Sequence, residues 1–245
     1  MTTTSVPHVP HKYLFIFAHP DDETVACAGT LHKLVQAGED VMVVSVTDGG
    51  AGQVHERAHA RLAEFPSVNA LRRVELSDAL ELLGVKNSQV LHFQDGQITN
   101  EVVWGELRST LIDVIDSYKP DVVVTFDHSG WYFHLDHVGT SIATTWAVQE
   151  AKFPPAVFFL SHFRVQNTKW KYVYSEKMPI THVVDVSDVK ALKLAALEKH
   201  QSQNLEEPKR QLTSDPKSEE LYQLVSVTPA GKTLLKDLGI FQQLR

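Results

Sequence analysis

The chain has 245 residues, of which 43% are hydrophobic, and it carries a formal net charge of −7 at pH 7. That length and apolar fraction suit one large α/β domain. The acidic balance argues against a nucleic-acid partner, because phosphate backbones are held by clustered lysine and arginine. We predict a single domain over residues 13–245, preceded by an N-terminal tail of residues 1–12.

The sequence shows no targeting or membrane segment. The first residues lack the basic n-region and the apolar h-region of a signal peptide, and no apolar run approaches the roughly 20 residues that span a bilayer. Cys27 is the one cysteine, so no intrachain disulfide can form, and we expect it to be a small buried residue. We therefore expect a soluble, cytoplasmic protein with no membrane partner.

Apolar strands alternate with amphipathic helices from Tyr13 to about Lys152. The predicted elements, in chain order, are strand 13–18, helix 24–37, strand 41–46, helix 69–83, strand 89–93, helix 100–118, strand 122–126 and a helix that ends near 152. This alternation is typical of an α/β fold with a Rossmann-like, doubly wound, mostly parallel sheet that has helices on both faces. We assume the strand order 3-2-1-4-5, in which the first and fourth strands are neighbours.

The pattern is less regular in the C-terminal part, residues 155–245. The elements predicted there are strands at 156–163, 170–174 and 180–186 and helices at 187–200 and 228–245. The segment 205–218 is predicted as a polar loop because it contains two prolines. The apolar end of the last helix could pack on its own domain or on another subunit, so a homo-oligomer stays open.

The helix predicted at 187–200 has a recognisable start and a polar face. Ser187 has the hydroxyl of an N-cap residue, which accepts a backbone N–H in the first turn. Lys190, Lys193 and Lys199 are expected on the face of this helix that contacts solvent.

A histidine, a proline and three acids follow the first strand, in the segment His19-Pro20-Asp21-Asp22-Glu23. We expect the next helix to begin at Thr24, so the segment lies on a strand-to-helix turn. Acids near a helix start are also favoured by the helix dipole alone. His19 and Asp22 are three residues apart and can converge on one cation, which leaves Asp21 as the natural general base.

A second cluster, His134-Leu135-Asp136-His137, follows the strand at 122–126. Ligands of doubly wound sheets bind at the carboxyl ends of the strands where the winding reverses, which in the assumed order lies between the first and fourth strands. We therefore predict that the two turns meet and that His19, Asp22 and His137 bind one catalytic metal ion. Three protein ligands and a water molecule are usual for catalytic zinc.

The remaining polar residues of the second cluster are expected to support the chemistry. His134 lies one helical turn from His137, so it can face the same cavity as an acid or as a stabiliser of an oxyanion. Asp136 is expected to orient His134 or His137 from behind as a hydrogen-bonding carboxylate.

The hexapeptide Ala18-His19-Pro20-Asp21-Asp22-Glu23 resembles the signature of the PIG-L/LmbE-like zinc-dependent N-deacetylases. That family also carries a later His-Pro-Asp-His segment, which is similar to residues 134–137 except that Leu135 replaces the proline. The similarity extends from about Tyr13 to Gln203. It implies a zinc-dependent enzyme that removes the N-acetyl group from an N-acetylglucosamine-type sugar or conjugate and releases acetate.

The resemblance also implies roles for residues away from the metal ligands. Arg72 fits the family's Arg-x-x-Glu helix and would bind substrate, although a solvated helix arginine is the alternative. Asp95 would hydrogen-bond sugar hydroxyls, or it only forms a turn. Tyr132 would help to stabilise the oxyanion, or it is only a packing aromatic. The segment His200-Gln201-Ser202-Gln203 is similar to a family motif that ends a helix, and a structural or cavity-rim role is expected.

Zn²⁺ is the expected cofactor, although nitrogen and oxygen ligands also accept Fe²⁺. A small-molecule N-acetylated sugar conjugate is the expected substrate. Two other functions stay open: a metal-dependent ester or phosphate hydrolase in the same cavity, and a non-catalytic sugar- or nucleotide-binding module on the same fold. Asp21 and His134 argue against the binding module, because binding alone needs neither residue.

Overall fold

A single mixed sheet forms the centre of the computed structural model, which describes residues 9–163, 179–214 and 217–244. Its strands are β1 Lys12–Phe17, β2 Asp40–Thr47, β3 Asn87–Phe93, β4 Val122–Phe126, β5 Val157–His162, β6 His182–Asp185, β7 Glu219–Val227 and β8 Gln242–Gln243. They lie in the order β3-β2-β1-β4-β5-β7-β6-β8. The first five are parallel, which confirms the predicted order 3-2-1-4-5, and the last three extend the sheet by antiparallel pairing.

Helices cover both faces of the sheet. They are α1 Asp22–Gln36, α2 His59–Leu62, α3 Val68–Leu83, α4 Glu101–Tyr118, α5 Gly130–Phe133, α6 Leu135–Glu150, α7 Lys190–Leu197, α8 Glu206–Ser214 and α9 Pro229–Asp237. Tyr13, Phe15 and Phe17 of β1 face a core shared with α1 and α3, whereas Leu14 and Ile16 face a second core shared with α4 and α6. A strand buried on both faces is apolar throughout, as β1 is. None of the helices in the described ranges is both long and apolar enough to cross a bilayer.

The elements predicted before residue 152 are present, with small differences at their ends. The helix expected from Thr24 begins at Asp22, because the backbone carbonyl of Asp21 already accepts the N–H groups of Thr24 and Val25 at 3.0 and 2.9 Å. Gly29 lies where α1 approaches the sheet: a Cβ added there would stand 2.3 Å from Cγ1 of Val186. Cys27 is fully buried, as expected.

The loop predicted for residues 205–218 is wrong, because α8 Glu206–Ser214 occupies most of this segment. Pro208 lies in the first turn of α8, where its missing N–H would have had no helical acceptor. Glu206 and Glu207 lie beside it and are favoured at the positive end of the helix dipole. The proline therefore marks the start of a helix rather than a loop. The strand proposed at 170–174 lies outside the described residues.

Two further predictions are wrong: that Lys193 contacts solvent, and that Ser187 is the N-cap of the helix. Lys193 is buried, and its Nζ lies 2.6 Å from Oε1 of Glu220. Ser187 starts a short 3₁₀ turn before α7, and its hydroxyl donates to the carbonyl of Lys217 at 2.7 Å. Glu220 belongs to β7, a strand that the sequence analysis missed because a buried glutamate breaks its apolar pattern.

The helix predicted over residues 228–245 is shorter in the structure, where α9 ends at Asp237. Leu238 and Phe241 beyond it are buried. The ring of Phe241 stacks on Phe159 at 4.9 Å and meets Tyr222 edge-on at 5.1 Å between centroids. The apolar tail therefore packs on its own chain, against β5 and β7.

Candidate active site

The two polar clusters meet at the carboxyl ends of β1 and β4. These strands are parallel neighbours, so their ends point to the same edge of the sheet. His19 follows β1 and His137 lies in the first turn of α6. Although 118 residues separate them, Nδ1 of His19 is 3.2 Å from Nε2 of His137. The close approach of the two turns is therefore present in the fold.

His19, Asp22 and His137 bring two ring nitrogens and the two carboxylate oxygens of Asp22 close together. Oδ2 of Asp22 is 3.4 Å from Nδ1 of His19, and Oδ1 of Asp22 is 3.3 Å from Nε2 of His137. Donors about 2.0–2.1 Å from a tetrahedral zinc ion stand roughly 3.3 Å apart. Each pair among these three buried residues therefore has a spacing close to that value, with one oxygen of Asp22 beside each imidazole.

The pKa of Asp22 also suits a ligand. Burial alone would raise this pKa, but the imidazoles of His137 and His19 outweigh it and hold the carboxyl well below its usual range. Asp22 is therefore ionised at neutral pH, as a carboxylate ligand must be.

Two carboxylates contact the remote nitrogen of His19. Nε2 lies 3.1 Å from Oδ1 of Asp95 and 3.3 Å from Oδ2 of Asp136. Such a contact fixes the tautomer and leaves the lone pair of Nδ1 for a metal. Asp136 is held in turn by the N–H groups of Gly96 and Ile98, at 2.6 and 3.1 Å. Asp136 thus orients His19, a different imidazole from the two that the sequence analysis named.

Two further donor groups share His19. The imidazoles of His19, His134 and His137 offer nitrogens within 4.8 Å of one another, and so do single ligand atoms of His19, Asp95 and Asp136. In the second group, both oxygens of Asp136 already accept backbone N–H groups. The opposite side of His19, which faces Asp22 and His137, could therefore hold a metal ion.

Asp21 lies beside these ligands in an uncommon backbone conformation. It precedes α1 with φ 123° and ψ −29°, and its carboxyl lines the cavity. Burial raises the pKa of Asp21 to about 6, with the charge of Arg72 acting in the opposite direction. A general base is most effective when its pKa lies near the working pH, so this carboxyl has the property that the predicted role requires.

Arg72 is buried in α3, which excludes the alternative of a solvated helix arginine. Its guanidinium donates to the carbonyls of Pro20 and Gly49, at 2.5 and 2.6 Å. One of its nitrogens is 3.3 Å from Oδ1 of Asp21. Arg72 therefore ties together two loops of the site and also lines the cavity.

Tyr132 lies in α5, a single distorted turn with a strained backbone, and His134 follows it directly. Trp131 and Phe133 have φ values of 65° and 63°, which bulky side chains rarely adopt. The ring of Tyr132 is 5.5 Å from that of His137, and the ring of His134 is 4.5 Å from it. Burial, together with the nearby imidazoles, lowers the pKa of His134 to about 4. His134 is therefore neutral at pH 7 and can donate one N–H.

One cavity of about 610 Å³ is lined by most of the predicted site residues, namely His19, Asp21, Asp22, Arg72, Asp95, Tyr132, His134 and His137, but not by Asp136. Much of its other wall consists of residues to which sequence reasoning assigned no individual role: Val25, Trp131, Phe163, Asn204, Leu205, Glu207 and Pro208. Gln203, the last residue of the segment for which a cavity-rim role was expected, also lines the cavity. Four of these residues lie at or just before the start of α8, in or beside the segment predicted as a polar loop.

The histidines and carboxylates gathered at the crossover point of this doubly wound sheet are the groups that a metal-dependent hydrolase uses to hold its ion and activate water. Residues 14–148 match the family described as PIG-L, GlcNAc-PI de-N-acetylase. The chain belongs to this family.

A relative agrees with this family, and solved structures share the fold. The chain is 32% identical over 227 residues to the 1D-myo-inositol 2-acetamido-2-deoxy-alpha-D-glucopyranoside deacetylase of Mycobacterium sp. (strain KMS), a match that covers 78% of this chain and 74% of the relative. The fold is similar to N,N'-diacetylchitobiose deacetylase from Pyrococcus horikoshii, with TM-score 0.66, 24% identity and coverage of 91% and 88%. It is also similar to the zinc-inhibited form of teicoplanin deacetylase Orf2, with TM-score 0.59, 21% identity and coverage of 79% and 85%.

Proposed function

We propose that the chain is a metal-dependent N-deacetylase that hydrolyses the acetamide of an N-acetylglucosamine-type sugar conjugate and releases acetate. Family membership supports this reaction, and the mycobacterial relative is named for a substrate of this kind. The observation that carries the proposal is the convergence of His19, Asp22 and His137 within 3.4 Å of one another beside the carboxyl of Asp21.

Zn²⁺ is the proposed cofactor, held by Nδ1 of His19, the carboxylate of Asp22 and Nε2 of His137. Two imidazoles and one carboxylate are a common ligand set for catalytic zinc, and Fe²⁺ accepts the same atoms. When bound, the cation supplies Lewis acidity toward the acetamide carbonyl and toward a water molecule. Asp95 and Asp136 keep His19 in the tautomer that this role needs.

Asp21 is the proposed general base. It takes a proton from the water as the water oxygen attacks the acetamide carbon, and a pKa near 6 lets it hold that proton and release it again. When the carbon–nitrogen bond breaks, the proton passes to the departing amine. The products are acetate and the free amino sugar.

His134 and Tyr132 are proposed to stabilise the negative charge that develops on the carbonyl oxygen. The neutral imidazole of His134 offers one N–H, and burial raises the pKa of the Tyr132 phenol so that it keeps its proton. Donors aimed at a developing oxyanion are among the largest contributions to catalysis. Arg72 and Asp95 line the same cavity and stay the proposed residues for binding the sugar.

Acetate release from an array of N-acetylated sugars tests this function, with O-acetylated and phosphorylated sugars as comparison substrates. We expect acetate from N-acetylglucosaminyl conjugates, loss of the activity with a chelator, and its return on adding Zn²⁺. Phosphate release would favour a phosphatase. Binding of the sugars without turnover by metal-loaded protein would favour the binding module.

The Asp21→Asn variant tests the assignment of the base. It should keep its metal and lose roughly two to four orders of magnitude in kcat, the usual contribution of acid–base catalysis. Near-wild-type turnover in a variant with full metal content would contradict the role of Asp21.

A further inference from the structure

The backbone of Asp21 has to be held in place. Its φ of 123° lies in a region that residues other than glycine rarely adopt. Such a conformation persists only when the surrounding structure enforces it. The direction of the Asp21 side chain depends on that conformation, so the groups that hold the Asp21 peptide also aim its carboxyl.

Glu23 holds the peptide of Asp21. The backbone N–H of Asp21 donates to Oε2 of Glu23 at 3.0 Å. The side chain of Glu23 is 1% exposed, and it is neither one of the three proposed ligands nor a residue that lines the cavity. It is the last acid of the hexapeptide motif, and the mechanism above gives it no role.

His200 fixes the other oxygen of Glu23. Nε2 of His200 lies 3.2 Å from Oε1 of Glu23, and the hydroxyl of Thr24 donates to the same oxygen at 2.5 Å. His200 is fully buried in the turn that follows α7. A buried carboxylate needs such partners, because leaving it without them is costly. The contacts therefore run from His200 through Glu23 to the N–H of Asp21.

The same turn has a second attachment that does not touch Asp21. The N–H and the hydroxyl of Ser202 donate to the two oxygens of Glu75 at 2.9 and 2.5 Å, and Glu75 is completely buried in α3. Removal of the Ser202 hydroxyl weakens the anchor of this turn but leaves the contact between His200 and Glu23. Ser202→Ala is thus a matched control.

We propose that Glu23 and His200 are positioning residues that aim the carboxyl of Asp21 through its peptide N–H. This inference rests on the proposed function in so far as Asp21 is the base. Neither side chain contacts substrate; both act by keeping Asp21 in its strained conformation.

Steady-state kinetics of metal-loaded variants test the inference, with an N-acetylglucosaminyl inositol as the probe. Glu23→Ala and His200→Phe should lower kcat by about 10- to 100-fold, as loss of supporting contacts to a site commonly does. KM and metal content should stay near wild type. Glu23→Gln keeps an acceptor for the Asp21 N–H, and His200→Gln keeps a donor, so each should recover most of the lost rate. Ser202→Ala should keep kcat within about twofold, because it leaves those contacts in place.

A double-mutant cycle separates positioning from general damage. If Glu23 acts through Asp21, Glu23→Ala should lower kcat no further in an Asp21→Asn background. Losses that multiply in the double variant would overturn the inference. So would loss of metal from Glu23→Ala, or a fall in kcat for Ser202→Ala as large as that for His200→Phe.

A measurement that does not depend on turnover keeps this inference distinct from the proposed function. In the wild-type protein, the amide proton of Asp21 should exchange slowly and show the low-field shift of an N–H bound to a carboxylate. Glu23→Ala and His200→Phe should speed its exchange, whereas Ser202→Ala should not. Unchanged exchange in Glu23→Ala would overturn the positioning role. Absence of acetate release by the wild type would instead overturn the proposed function.

Discussion

Replacement of Arg72 by methionine should cost stability and rate together. Methionine fills similar space but donates no hydrogen bond, so the carbonyls of Pro20 and Gly49 lose the donors that now lie 2.5 and 2.6 Å away. An unsatisfied buried polar group costs about 1–3 kcal/mol. Arg72 is 3% exposed, so water does not readily replace its contacts.

We expect a loss of about 3 kcal/mol in the free energy of unfolding, since partial relaxation of both loops offsets part of the cost. For a chain of this size, that loss lowers Tm by roughly 6–12 °C. Differential scanning calorimetry of metal-free protein measures it without interference from metal binding. Arg72→Lys keeps the charge, but its ammonium group cannot contact both carbonyls as the planar guanidinium does. Its Tm should therefore lie between those of the wild type and Arg72→Met.

The pH dependence of kcat/KM provides a second reading of the same variant. The charge of Arg72 opposes the effect of burial and lowers the pKa of Asp21, so its removal raises that pKa. Asp21 acts as a base only when it is deprotonated, so the acidic limb of the profile should move to higher pH in Arg72→Met. An unchanged Tm and an unmoved limb, with a higher KM alone, would refute this reasoning and leave Arg72 as a substrate ligand only.

Three further predictions concern other parts of the chain. Lys193→Met leaves the buried carboxylate of Glu220 without its cation, and it should cost about 3–5 kcal/mol in a urea titration; a loss under about 1 kcal/mol would contradict that pairing. Tyr132→Phe should lower kcat by about 10²-fold with little change in KM if its hydroxyl stabilises the oxyanion; an effect on KM alone would place the hydroxyl on the sugar. Burial raises the pKa of Asp48, but a contacting imidazole and guanidinium outweigh it and hold the pKa below its usual range. Its stabilising contribution should therefore be present above about pH 4 and be lost as the pH falls through the lower folded-state pKa, and the pH dependence of unfolding should flatten in Asp48→Asn.

Local patterns in the sequence were sufficient to predict the strands and helices of the parallel half of the fold, whereas their order in the sheet was assumed. A strand buried on both faces, such as β1 or β4, is largely apolar along its length. Helix ends are marked by residues such as Gly84, a C-cap glycine in the left-handed conformation. The first and fourth strands become neighbours through the usual winding of such folds. The meeting of His19 with His137 followed from that winding, although no local signal links the two segments.

The contacts that the sequence did not reveal are long-range and polar. Lys193 was expected to contact solvent because its buried partner, Glu220, was not recognised. Glu220 lies on β7, and this glutamate interrupts the alternation of apolar and polar residues that would have indicated a strand. Asp136 was expected to orient its sequence neighbours, yet the fold turns it toward His19. Pro208 suggested a loop, because a proline is common both in loops and in the first turn of a helix. The sequence does not distinguish these two cases until the start of the helix is known. For Lys193 and Asp136 the deciding partner is distant in sequence.

Anomalous diffraction at the zinc edge, from crystals of metal-loaded protein, tests the proposed metal centre most directly. The account predicts one strong peak about 2.0–2.2 Å from Nδ1 of His19, a carboxylate oxygen of Asp22 and Nε2 of His137. A peak bound by Asp95 and Asp136 instead, or a protein that takes up no divalent ion at this edge of the sheet, would contradict it.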